Sequence, residues 1–173
     1  MSNTLRTARL ALAPHTLADF DDSAALWADP EVVRYIGGKP STEAESWVRL
    51  MRCAGSWALL GLGYWVVREA ASGRFVGEVG FGDFRRGVGA EFDEVPEAGW
   101  VLATWAHGQG YAGEAVAAAL AWGDAWFKGP RTVCMIDPDN AASLRVAARA
   151  GYAEYARTDY RDSPIVLLQR IKP

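Results

Sequence analysis

The segment Ala106–Ala115, AHGQGYAGEA, lies between a strand-like run (GWVL) and a long helical one, and it constrains the fold more than any other feature. Its glycines, Gly108-x-Gly110-x-x-Gly113, match the spacing of dinucleotide-binding folds, where glycines let the backbone approach a pyrophosphate at a helix start. Asp137 follows about where a ribose-binding carboxylate is expected. A doubly wound dinucleotide fold, however, repeats βαβ units and sets its fingerprint at the first strand–helix turn. Here the pattern comes behind two helices and an antiparallel meander, and ATWAH separates the strand from Gly108. What remains holds one βαβ unit and a terminal hairpin, which cannot supply two half-sheets. The order therefore argues against a nucleotide-dependent oxidoreductase. The local physics survives: amide N–H groups at a helix start are unpaired, and the helix dipole favours an anion there. The alternative is that the glycines only make a tight turn and allow close packing.

The rest of the chain supplies the order. RLALAP alternates and reads as a first strand ending near Pro14. Thr16, with Asp19 at capping-box spacing, opens a helix to about Ala28, and Asp29-Pro30 starts a short helical turn. A second main helix begins at Ser41 or Thr42, with Glu45 completing the cap. It carries Trp47, Leu50, Met51 and Ala54 on one face and ends at Gly55 or soon after. Tyr64–Glu69 and Phe75–Phe81 read as a hairpin, Gly82–Pro96 as a long loop, and Glu97–Ala103 as a strand. Helix Tyr111–Phe127, strand Thr132–Ile136, a helix to about Ala150, and strands Tyr152–Thr158 and Val166–Arg170 complete it. The expectation is one α+β domain over 1–173 with a mixed sheet, without internal repeats.

Composition narrows the chemistry. Half of the 173 residues are hydrophobic, enough for a real core. No run approaches the ~20 apolar residues of a membrane span, and the start lacks a signal-peptide pattern, so a cytoplasmic protein is expected. A net charge of -3 without a basic run disfavours nucleic acid and is compatible with an amine substrate. His15 and His107 have no metal-ligand companions at usable spacing, and Cys134 in TVCMI reads as a small core hydrophobe rather than a thiol nucleophile. No metal is expected.

With that order in hand, His107-Gly-Gln-Gly-Tyr-Ala before a helix resembles the acetyl-CoA-binding signature Q/R-x-x-G-x-G/A of the GNAT N-acetyltransferases. Downstream, Asn140-Ala-Ala-Ser143 followed by Gly151-Tyr152 resembles that family's N-x-x-S…G-F/Y segment, in a form closest to the ribosomal-protein alanine N-acetyltransferases. The resemblance covers roughly residues 7–171. It implies a sheet that splays open after Glu97–Leu102, with backbone groups of Trp100, Val101 and Leu102 pairing with pantetheine like an added strand. It also implies a pyrophosphate held by the loop His107, Gly108, Gln109, Gly110, Tyr111, Ala112 and Gly113. Ordinary strand pairing is the alternative for Trp100–Leu102. His107 stands where Arg or Gln is usual, and Gly113 where a hydroxyl residue is common.

The reaction so implied is acetyl transfer from acetyl-CoA to a primary amine, either a protein N-terminus or a small molecule, by direct attack in a ternary complex. A non-catalytic acyl-CoA-binding module of the same fold is the alternative. An amine with a pKa of about 8 needs only a modest base. Glu78 and Glu97 are the candidates, Glu78 the better one because VGEVG places a carboxylate in a central strand; for both the alternative is a solvated strand residue. The tyrosine that many members use as acid is replaced by Ala147, which leaves Ser143 as the acid the branch suggests, or as a capping hydroxyl. Asn140 is a cap or a pantetheine contact. Tyr152 reads as core, and Arg145 and Arg149 as phosphate contacts or solvated helix residues. The acceptor side should come from the N-terminal helices and loops 30–40 and 82–96, with Trp27, Tyr35, Trp47 and Trp57 as wall or core. The acceptor's identity stays open, and exposed tryptophans and terminal strands allow a homodimer.

Overall fold

A computed structural model describes residues 3–172; residues 1, 2 and 173, the ends of the expected domain, lie outside the described part. The strands are β1 (Leu5–Arg6), β2 (Leu10–Pro14), β3 (Tyr64–Glu69), β4 (Phe75–Gly82), β5 (Glu97–Leu102), β6 (Arg131–Ile136), β7 (Ala153–Tyr160) and β8 (Ser163–Ile171). They form one sheet in the order β1-β2-β3-β4-β5-β6-β8-β7. All neighbours are antiparallel except β5 and β6. The helices are α1 (Phe20–Ala28), α2 (Pro30–Val33), α3 (Glu43–Leu60), α4 (Ala90–Asp93), α5 (Tyr111–Trp126) and α6 (Ala141–Arg149).

Local chemistry explains the helix starts. Thr42 and Glu45 exchange side-chain and backbone bonds across the first turn of α3, and Thr16 and Asp19 do the same before α1. Asp29 caps α2 with Pro30 in its first turn. Two sequence expectations are corrected in α3. The helix passes through Gly55 and stops at Leu60, where Gly61 takes a left-handed φ of 66°. Its buried side is Ser46, Leu50, Cys53 and Trp57, whereas Trp47 and Met51 are 45% and 41% exposed. Trp47 meets the edge of Phe20 instead. The expected loop 82–96 also contains α4, pinned by buried Phe92.

One face of the sheet packs on α5 and α6. Trp57, Trp65 and Trp122 meet edge to face there, with Phe81 and Phe127 beside Trp122, so Trp57 is core rather than acceptor wall. The other face carries Val66, Phe75 and Val101 against Leu26 and Val32 of α1 and α2. In β4 the register shifts opposite Val67/Arg68, at Gly77. With φ 152°, a Cβ at Gly77 would stand 2.2 Å from the Val101 carbonyl oxygen, so the bulge requires glycine.

The parallel pair opens the fold. β5 and β6 are in register only at Glu97 and Val133, where the Val133 N–H donates to Pro96 O at 3.1 Å. Beyond that point they diverge, so Trp100–Leu102 pair with β4 alone and the ordinary pairing on the β6 side is absent.

Candidate active site

The glycine loop joins the unpaired end of β5 to α5. After a short 3-10 turn (Thr104–Ala106), Gly108 and Gly110 adopt φ of 74° and 79°, and Gly110 caps α5 from the left-handed region. The backbone N–H groups of Gly108, Gln109, Gly110, Tyr111, Ala112 and Gly113 have no acceptor among the described residues. Six consecutive free donors at the start of a 16-residue helix form an anion cradle. Gly113 lies inside the first turn with ordinary helical φ and open space around it.

The loop's side chains serve the loop itself. His107 Nε2 donates to the Leu102 carbonyl at 3.0 Å, and Gln109 Nε2 donates to the Trp105 carbonyl at 2.7 Å. Tyr111 is buried and its hydroxyl bonds to the Glu69 carboxylate, so only its amide faces the cradle. Sequence reasoning missed Arg9. Its Nε reaches Glu114 Oε2 at 2.7 Å, its Nη1 donates to Gln109 O at 2.9 Å, and its guanidinium covers the Tyr111 ring. Arg9 neutralises, and the Thr7 hydroxyl hydrogen-bonds, Glu114, the carboxylate in the first turn of α5 that would otherwise repel an anion. Arg9 stands outside any motif, so nothing in the sequence marked it.

Across the cleft, Asn140 Oδ1 accepts the Ser143 N–H at 3.1 Å and caps α6. Asn140 is thus the cap and Ser143 the residue capped; the Ser143 hydroxyl, half-buried, has no hydrogen-bond partner among the described residues. Ala147 is fully buried, and Tyr152 bonds Thr132 inside the core, where burial pushes its hydroxyl pKa up. Arg145 and Arg149 are exposed on α6.

Both candidate bases lie on the face opposite α5, and neither is solvated: Glu78 is 1% and Glu97 6% exposed. Glu78 accepts Ser23 Oγ at 2.5 Å and Trp27 Nε1 at 3.1 Å, with His15 Nε2 at 3.1 Å. Burial raises its pKa, but His15, Ser23 and Trp27 together outweigh that and hold it below the usual carboxylate range. Glu97 is held by a two-pronged contact to Arg86, Nε at 2.6 Å and Nη2 at 2.8 Å. There burial wins, and the Glu97 carboxyl is pushed above its ordinary value. Between them Tyr64 lies across Gly80 with its hydroxyl over Gly99, where a Cβ would meet it at 1.9 Å. The two carboxylates, of which the sequence favoured Glu78, differ in their surroundings. Glu97 anchors the 82–96 loop, and Glu78 sits beside the splayed strand, opposite Val101. His15 and Ser23, missed in the sequence, complete its setting; Tyr35 instead lies under Arg34.

Among the described residues no group of three or more His, Cys, Asp or Glu could hold a metal ion, and no helix is long and apolar enough to cross a membrane. Cys53 and Cys134 are both buried and free, and burial pushes the Cys53 thiol up to about 12.

Known proteins resemble this chain in sequence and fold. Residues 9–153 match the model of the acetyltransferase (GNAT) domain. The uncharacterized protein YkkB of Bacillus subtilis is 30% identical over 147 residues, 84% of this chain and 81% of that protein. A putative GnaT-family acetyltransferase from Bordetella pertussis is 35% identical, covers 98% of this chain and 99% of its own, and superposes with a TM-score of 0.87. At 14% and 16% identity the fold alone is shared with two Vibrio proteins. One is the spermidine N-acetyltransferase of Vibrio cholerae in complex with CoA and spermine (TM-score 0.74, covering 96% and 97%). The other is the ribosomal-protein-S5-alanine acetyltransferase of Vibrio fischeri (TM-score 0.77, covering 99% and 97%). A sheet opened after one parallel contact, an amide cradle at its mouth and a family match spanning both lead to one conclusion: the chain belongs to the GNAT family of N-acetyltransferases.

Proposed function

We propose that this N-acetyltransferase uses acetyl-CoA to acetylate a primary amine by direct attack, with Glu78 as general base and Ser143 as general acid. The observation that carries the reading is the run of six amides at Gly108–Gly113 without an acceptor among the described residues, in the loop that follows the unpaired end of β5. These residues fit a pyrophosphate: the donors are backbone, the dipole is favourable, and the local carboxylate is tied to Arg9. The free strand edge of Trp100 and Val101 would hold pantetheine, while Leu102 has its carbonyl already taken by His107.

Acetyl-CoA supplies an activated acetyl thioester. The chain's own residues position the amine and move protons. Glu78, ionised in its buried setting, accepts a proton from the amine directly or through water. Ser143 offers a hydroxyl uncommitted among the described residues to protonate the departing sulfur, regaining its proton from solvent. Holding both substrates in line contributes much of the acceleration. The same reading favours turnover over a binding-only module, since neither group is needed to bind CoA.

Thermal unfolding tests it. Acetyl-CoA at a large excess over its Kd should raise the Tm, because a ligand that binds only the native state stabilises by mass action. NADH should leave it unchanged. A shift with NADH and none with acetyl-CoA would sink the reading.

A further inference from the structure

The acceptor side holds more positive charge than its carboxylates use. Arg49 on α3 lies flat on Trp27, its guanidinium carbon 3.7 Å from the ring centroid, and Trp27 donates to Glu78. Arg52, one turn on, stacks on Phe84 at 5.1 Å, beside Tyr64 and within electrostatic reach of Glu97. Arg86 covers the same Phe84 ring but spends its charge on Glu97. Glu78 is already met by His15, Ser23 and Trp27.

Arg49 and Arg52 are left without a carboxylate partner among the described residues. Arg49 makes a long contact, Nη2 to Ser41 Oγ at 3.5 Å, and its Nε is covered with no acceptor among the described residues. A covered, unpaired guanidinium nitrogen is uncommon, because each donor withdrawn from water costs free energy until an acceptor is found. Burial first, and then the like charge of Arg52, lower the Arg49 pKa. An anion at the open edge of the pair would offset the like charge. A polycation would meet two unpaired arginines instead.

We propose that the acceptor is an amine bearing its own carboxylate, an amino acid or the C-terminal end of a short peptide, whose anion is held by Arg49 and Arg52. This rests on the acetyl-transfer reading and names the substrate class for that site. The indole of Trp27 is the spacer: its Nε1 edge bonds Glu78 and its face carries Arg49, so amine and carboxylate of one small molecule would be received about one ring apart. Guanidinium is the suited group, since it presents parallel N–H donors to the two oxygens of a carboxylate.

The test is steady-state CoA-thiol release with matched acceptors: leucine, its amide, the decarboxylated amine, a leucine-ending dipeptide, and spermidine as a polycation. Removing the carboxylate should raise the acceptor KM about tenfold or more, the usual worth of a charge-assisted hydrogen bond. The amino acid and dipeptide arms separate a free amino acid from a peptide end. Arg49→Gln should abolish the difference between leucine and its amide without changing the KM for acetyl-CoA, and Arg49→Lys should restore part of it. Acetyl-CoA-dependent stabilisation of each variant verifies folding. Spermidine or the amide turning over as well as leucine overturns the inference while acetyl transfer stands; no thiol release with any acceptor overturns both.

Discussion

Nε2 of His15 stands 3.1 Å from Oε1 of Glu78, and both side chains are 1% exposed. The other ring nitrogen, Nδ1, lies 3.2 Å from the Tyr64 carbonyl, which can only accept, so Nδ1 carries its hydrogen. His15 helps keep the Glu78 carboxyl below its usual range. Replacing His15 with Ala removes that support, and the Glu78 carboxyl moves up. If ionised Glu78 is the base, the acid limb of the kcat/KM profile for the amine shifts to higher pH in His15→Ala. An unmoved limb would show that Glu78 does not set it.

Glu97 predicts the opposite behaviour. Its pKa is raised by burial, and Arg86 offsets only part of that rise. Arg86→Met strands a carboxylate whose side chain is 8% exposed, a loss of about 3 kcal/mol or more in stability near neutral pH. Because the carboxyl of the folded variant takes up a proton more readily than in the unfolded chain, the loss should shrink as pH falls through the raised carboxyl pKa. Urea unfolding at pH 5 and pH 8 measures this, and a loss equal at both would contradict it.

The three glycines of the loop should not respond alike. Gly108→Ala and Gly110→Ala force a side chain into the left-handed region and should each cost about 1 kcal/mol while raising the KM for acetyl-CoA. Gly113 is helical and unobstructed, so Gly113→Ala should be neutral or stabilise by about 0.5–1 kcal/mol. Thermal unfolding and acetyl-CoA titration check all three. Equal effects at Gly110 and Gly113 would contradict the cradle geometry.

Ser143 and Asn140 separate chemistry from structure. Asn140→Ala removes the α6 cap and should destabilise by about 1 kcal/mol. The Ser143 hydroxyl has no hydrogen-bond partner among the described residues, so Ser143→Ala should change stability by less than about 0.5 kcal/mol. Its kcat should fall with acetyl-CoA affinity retained. An unchanged kcat would remove Ser143 from the reaction.

What the sequence made legible was local or periodic. Thr42 with Glu45 and Thr16 with Asp19 carry their partners three residues away, so the helix starts could be read directly. The end of α3 could not, because Gly55 is tolerated in a packed helix and the stop lies at Gly61. Its buried face was read one position off. Trp47 and Met51 look like core, yet the sheet lies on the side of Ser46 and Cys53, and helix periodicity alone does not say where the sheet will be. The glycine loop was legible because the positive φ at Gly108 and Gly110 favours glycine just before a helix. Arg9, His15 and Ser23 were not, since each acts on a residue distant in sequence, Glu114 or Glu78. The burial of Glu78 and Glu97 follows from the same long-range packing, which removed the solvated reading of both.

The most direct measurement is mass spectrometry of the acceptor after incubation with acetyl-CoA, read together with released CoA thiol. The account predicts one N-acetyl group formed per thiol released, with the rate strongly reduced in Glu78→Gln. Thiol release without an acetylated amine, or full activity in Glu78→Gln, would contradict it.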